Sequence, residues 1–157
     1  MKIKLDENEN IIFEDNGNLP PGIFDITITE IEKHYSFSPK RKKLIEGLKM
    51  MLTDLKDVGC EKFYLDGSFV TNKLSPGDFD ACWEMNKNID FNKINSHYPE
   101  LKQFAPPRAE QKSKYFGEAF ISNCPAGTVN GISLNFLDFF QKDKITGNAK
   151  GILLIKL

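Results

Sequence analysis

The sequence predicts an α+β fold, a mixed β-sheet with helices packed against it, and three observations lead there. Apolar residues recur at helical spacing through 39–57. Two short strand-like segments, 62–66 and 78–84, follow on either side of a glycine turn, and apolar segments at 132–141 and 151–157 supply further strands. A leading helix followed by strands that do not alternate regularly with helices is the pattern of an α+β domain.

The 157 residues fit one domain over 1–157, and a domain of this size buries roughly 70% of the surface its unfolded chain exposes. Hydrophobic residues make up 40% of the chain, with 13 Phe and a single tryptophan, Trp83, which points to an aromatic-rich core rather than disorder. Net charge is -1, from 21 Lys and Arg against 22 Asp and Glu, so the basic excess of a duplex-wrapping protein is missing. Cys60, Cys82 and Cys124 form no C-x-x-C pair, and only His34 and His97 could join them. Buried thiols in a reducing compartment are expected rather than a zinc site or a disulfide framework. The charged N-terminus has no apolar signal core, and no stretch approaches the roughly 18 apolar residues of a membrane span. A cytoplasmic protein with no membrane partner is expected.

Taken in order, Lys2–Leu5 and Ile11–Phe13 read as a short strand pair, making 1–20 either a hairpin arm or an ordered lead-in. Asn16-Gly17-Asn18 and Pro20-Pro21-Gly22 read as turns. Thr29 with Glu32 forms a capping box for a short helix. Ser38-Pro39 is a stronger start signal, and Leu44, Leu48, Met51, Leu52 and Leu55 carry the periodicity until Gly59 ends it. Lys40, Arg41, Lys42 and Lys43 crowd the first turn, as a solvated face or as a patch for a polyanion. Residues 62–66 form a strand, Ser75-Pro76-Gly77 a turn and 78–84 a second strand. Helices are expected over 90–97 and 107–115; 116–122 is ambiguous, and 132–141 and 151–157 are strands.

The chemistry concentrates in Asp78-Phe79-Asp80-Ala81-Cys82-Trp83-Glu84. Alternation along a strand puts Phe79, Ala81 and Trp83 on one face and Asp78, Asp80, Cys82 and Glu84 on the other. The two aspartates then start roughly 7 Å apart at the backbone. Adjacent carboxylates repel unless protons or cations neutralise them, and Mg²⁺ takes one or two carboxylates together with substrate phosphates. Upstream, Gly67 lets the backbone approach a phosphate, the amides and hydroxyl of Ser68 offer donors, and Lys73 offers a cation. Asp138, in the apolar run Leu134–Phe140, is the expected third carboxylate, with Glu84 as the weaker substitute. Each feature alone has a plain alternative: turn acids, an ordinary turn, a surface lysine.

Together, Gly67-Ser68, the spacer 69–77, Asp78-x-Asp80 and a later carboxylate resemble the DNA polymerase β-like nucleotidyltransferase superfamily. More narrowly, GSFVTNKLSPGDFDACWE with FLDFFQKDKITGNAKGI is similar to a small bacterial family of stand-alone nucleotidyltransferase-like proteins, found in mobile, defence or toxin–antitoxin settings. The resemblance implies an NTP substrate, with Asp78, Asp80 and Asp138 as catalytic and metal-binding residues for two Mg²⁺ ions, or Mn²⁺ in their place. It assigns Gly67, Ser68 and Lys73 to the nucleotide, and an RNA, protein or small-molecule hydroxyl as acceptor. The loop 141–151, with Lys142, Lys144 and Lys150, is either a substrate-touching loop or a solvated hairpin.

Two functional classes follow. An enzyme requires Asp78, Asp80 and Asp138 to converge beside an open groove. A catalytically degenerate binding module, serving as an antitoxin-like or regulatory partner of a cognate protein, allows Asp138 to point away or the groove to be filled by 1–20 or the last strand. A third, plainer reading is an α+β domain whose Asp78 and Asp80 are only turn acids.

Overall fold

The computed structural model describes residues 1–157. Its first half runs β1 (Gly22–Asp25), α1 (Ile28–Tyr35), α2 (Pro39–Asp57), β2 (Lys62–Asp66) and β3 (Phe79–Trp83). The second half runs α3 (Phe91–His97), α4 (Ala109–Tyr115), β4 (Gly117–Ile121), β5 (Pro125–Val129), β6 (Ile132–Asn135), α5 (Phe136–Phe140) and β7 (Gly151–Lys156). Five strands form a mixed sheet in the order β1-β7-β2-β3-β4, and β5 and β6 form a separate two-stranded ribbon. The fold is α+β.

The secure helix is α2. Ser38 Oγ accepts from the Arg41 amide at 3.2 Å, Pro39 occupies the first turn, and Leu44, Leu48, Met51 and Leu55 are buried. In α1 the capping box is Thr27 with Glu30, two residues earlier than the Thr29–Glu32 pair expected from sequence. The earlier start turns Ile31 and Tyr35 into the core, and that burial decides between two competing T-x-x-E signals.

The sheet has two different faces. Phe63, Leu65, Phe79, Ala81, Trp83, Ala119, Leu153 and Ile155 belong to a core cluster of 29 buried residues shared with α1 and α2. On the other face Tyr64, Cys82 and Ile152 pack beneath Phe140 of α5. The Phe136 ring of the same helix stacks on Phe120 with centroids 4.5 Å apart.

Several segments depart from expectation. The run 132–141 is not one strand: Asn135 closes β6, and its side chain accepts from the Asp138 amide at 2.9 Å, capping α5. Strands β1 and β5 were not anticipated, and the ambiguous 116–122 contains β4. The N-terminal pair is reduced to a single bridge between Leu5 and Ile11. Ile11 and Leu19 are buried in the main core, so the lead-in is part of the packed domain rather than an arm. It also ties two loops together. The Gly17 carbonyl accepts from the Asn72 amide at 3.1 Å, and Asn18 Nδ2 donates to Asp143 Oδ2 at 2.9 Å. No helix is long and apolar enough to cross a membrane.

Candidate active site

Three neighbouring strands bring acids into a row. Asp66 at the end of β2 pairs in register with Asp80 of β3, and Asp80 pairs with Glu118 of β4. Since Leu65, Ala81 and Ala119 face the main core, alternation puts the three acids on the opposite face, beside the α5 cluster. Asp78 precedes β3 on the same side.

Gly67 follows Asp66 with φ at +79°, a left-handed conformation that favours glycine. A Cβ there would stand 2.5 Å from Asp80 Oδ2. The glycine turn and the second aspartate of the motif are therefore in direct contact, which is what the sequence spacing foreshadowed. Ser68 opens a three-residue 3-10 turn, and its carbonyl accepts from the Thr71 amide and hydroxyl at 3.2 and 2.7 Å.

This loop is held from behind by Arg41, whose side chain is buried against Tyr35, Phe37 and Phe69. Its guanidinium donates to the carbonyls of Phe69 (2.6 Å), Thr71 (2.8 Å) and Lys73 (2.7 and 3.0 Å). Arg41 thus belongs neither to a solvated face nor to a patch open to a polyanion; it is the clamp of the Gly67-Ser68 loop.

The electrostatics differ along the row. Burial first, then the charges of Asp78 and Asp66, push the Asp80 carboxyl up to about 6. Asp78 is raised by burial and then by Glu118, against Lys112, Lys144 and Lys40. No hydrogen bond figures among the causes acting on either aspartate. Asp66 is raised by burial against the pull of Lys150. The Lys150 ammonium stands 3.1 Å from Asp66 Oδ1 and donates to Oδ2 at 3.4 Å, yet Oδ1 has no hydrogen-bond partner of its own. Burial opposes ionisation of Glu118 too, but hydrogen bonds and charge from Lys112 and Arg108 hold it below the usual carboxylate range.

The oxygen-only donors, the raised Asp80 and the orphaned Asp66 oxygen fit a hard divalent cation better than a soft one. No three His, Cys, Asp or Glu side chains are gathered closely enough to hold a metal unaided. A cation here would take Asp78 and Asp80 and complete its shell with water or phosphate oxygens, as Mg²⁺ commonly does.

The remaining expected residues lie outside the three strands that carry the row. Asp138 lies on α5, not on a strand, and it is exposed. The cap at Asn135 turns the chain into a helix before Asp138 is reached, which removes it from the expected strand position. Lys73 is exposed and contributes to the loop through its carbonyl. Glu84 lies beyond the far end of β3, its Oε2 3.9 Å from Lys62. Sequence reasoning missed Asp66 and Glu118 as members of the row. The G-E-A-F-I alternation of 117–121 was the available signal for Glu118. Lys144, from the 141–151 loop, is the cation that bears on Asp66, Asp78 and Asp80 alike.

A cavity of about 600 Å³ lies at the opposite end of β7, lined in part by Lys2, Lys56 and Lys156. Its one carboxylate, Asp25, is already engaged by the N-terminal amine and Lys156, so the acid row is the stronger candidate for chemistry. No curated protein and no solved structure matches the chain. A family model matches residues 11–156, and the chain belongs to that family, DUF6932, described as a family of unknown function.

Proposed function

We propose that this protein is a Mg²⁺-dependent nucleotidyltransferase that moves an NMP from an NTP to an acceptor hydroxyl on RNA, protein or a small molecule. The observation that carries the reading is the contact of Gly67 with Asp80, beside Asp78 in a row whose other acids, Asp66 and Glu118, already have cation partners. Asp78 and Asp80 hold the cation, and Gly67 and Ser68 let the triphosphate approach the backbone. The charge of Lys144, in the adjoining loop, acts on the same acids. When bound, the cation supplies charge neutralisation at the phosphates. The acceptor hydroxyl loses its proton to solvent, its oxygen forms a bond to the α-phosphorus, the bond from that phosphorus to the α,β-bridging oxygen breaks, and the electron pair leaves with pyrophosphate. The chain's contribution is positioning and electrostatics, the usual means of phosphoryl-group catalysis. A toxin–antitoxin or phage-defence setting is part of the same proposal and rests on the sequence resemblance.

A second reading is favoured by specific observations. Asp138 is exposed on a helix rather than held on a strand of the sheet, and Glu118 is engaged by Arg108 and Lys112. A degenerate member acting as the binding or regulatory partner of another protein would tolerate both. Calorimetric titration of each NTP, with and without Mg²⁺, separates the two. The enzyme reading expects magnesium-dependent binding of at least one NTP, abolished in Asp78→Ala/Asp80→Ala and retained in Asp138→Asn. Absence of any NTP binding by the folded wild type would refute it in favour of the partner.

A further inference from the structure

Glu118 stands where a third carboxylate of the acid row would stand, in register with Asp80 across the parallel β3–β4 pair. Yet each of its oxygens is held by a cation of the protein. Oε2 accepts from Arg108 Nε at 3.1 Å and from Nη2 at 2.8 Å, while Oε1 lies 2.8 Å from Lys112 Nζ. The Arg108 and Glu118 side chains are only 16% and 13% exposed, so water does little to screen the pair.

The Arg108 fork is itself fixed on several sides. Nη1 donates to the Phe104 carbonyl at 2.9 Å, and the guanidinium lies 5.0 Å from the centroid of the Phe120 ring. Its backbone, at φ +53°, turns the chain into α4, and α4 carries Lys112. The two cations thus come from one turn and the helix it starts. Lys112 also acts through its charge on Asp78, so one ammonium serves both Glu118 and Asp78. Asp78 and Asp80 have no such partner within the chain.

We propose that the site takes one divalent cation, on Asp78 and Asp80, and that Arg108 and Lys112 provide in fixed form the positive charge that a second ion would bring to Glu118. The guanidinium takes both lone-pair sites of Oε2 and the ammonium one of Oε1, so the single remaining site of Glu118 lies beside two cations that repel a metal ion. Arg108 and Lys112 are positioning residues in this scheme: they neutralise Glu118 and set the field at Asp78. The inference rests on the metal-site reading given above.

The test counts ions directly. Mn²⁺ is titrated into the wild-type protein and its Glu118→Gln, Lys112→Gln, Arg108→Gln/Lys112→Gln and Asp78→Asn/Asp80→Asn variants, followed by calorimetry and by the electron paramagnetic resonance signal of free Mn²⁺. One ion is expected in wild type, lost in Asp78→Asn/Asp80→Asn. Glu118→Gln should still bind one ion, because no ion sits on Glu118; its affinity can fall by about 10–100-fold as for any outer-shell change, so the ion count is the readout. The Arg108→Gln/Lys112→Gln protein should admit a second ion. Lys112 is half-exposed, so Lys112→Gln keeps the fold and should by itself show weak binding of that second ion. Two ions in wild type, no ion bound by folded Glu118→Gln, or a single ion in every cation variant would overturn the inference while leaving the wild-type metal site intact. No Mn²⁺ bound by wild type would remove the metal site and the inference together.

Discussion

Arg41→Lys is the most informative single substitution in this fold, because it keeps the charge and removes the fork. The guanidinium makes four hydrogen bonds to three carbonyls of the 69–73 segment and has no carboxylate partner. Burial draws it down to about 10, so it is charged at neutral pH and the bonds are charge-assisted. One such bond contributes about 1.5–3 kcal/mol net, and desolvation of the buried cation offsets part of the total. Arg41→Ala leaves the carbonyls of Phe69, Thr71 and Lys73 without their donor and opens a cavity against three aromatic rings, at a cost of about 4 kcal/mol. A lysine ammonium reaches at most part of the same set, so Arg41→Lys should cost about 2 kcal/mol. Urea unfolding followed by the fluorescence of Trp83, the sole tryptophan and fully buried, measures both. Amide exchange should accelerate over 67–73 in the lysine variant before it does so in β2 or β3. If Arg41→Lys lies within about 0.5 kcal/mol of wild type, the level of an ordinary surface substitution, the fork does not hold the loop and the clamp argument fails.

Two further outcomes follow from the acid row. Gly67→Ala meets Asp80 Oδ2 at 2.5 Å from a positive-φ backbone, and should cost about 1–3 kcal/mol in urea unfolding while weakening Mn²⁺ binding. Asp80 is raised from 3.8 to about 6, so its charged form is disfavoured in the folded state. The penalty is absent below the unfolded value, grows as pH rises from about 4 to about 6, and is complete above that. In chelator, Asp80→Asn should therefore stabilise the protein by about 1–3 kcal/mol at pH 8 and by much less at pH 4; equal effects at the two pH values would contradict the assigned burial of this carboxyl.

Much of this architecture is legible in local signals. Ser38-Pro39 and Gly59 bound α2 as capping chemistry requires, and the alternation of 78–84 correctly separates Phe79, Ala81 and Trp83 from Asp80 and Cys82. What escapes is whatever depends on a distant partner. The Asp66–Asp80–Glu118 row exists only because β2, β3 and β4 lie side by side, and no spacing within the chain encodes that. Arg41 sits in a run of four cations, and only the 69–73 loop distinguishes it from its neighbours. Asp138 was misplaced for a local reason: in Asn135-Phe136-Leu137-Asp138 the cap signal was present, but the apolar run around it reads equally well as strand.

The position of β7 constrains how such a molecule is made. It lies between β1 and β2, and Gly22 of β1 pairs with Gly151, nearly the whole sequence away. While residues 151–156 are still inside the ribosome, β1 has no strand to pair with and one edge of β2 lies open. An open apolar edge is a template for another chain, and contacts this remote form slowly. The nascent protein thus passes through an interval with Phe63 and Leu65 on a strand paired along only one edge, and the acid row gains its Asp66–Lys150 ion pair only when that interval ends. Synthesis, rather than the finished fold, is where this sheet is most vulnerable to aggregation.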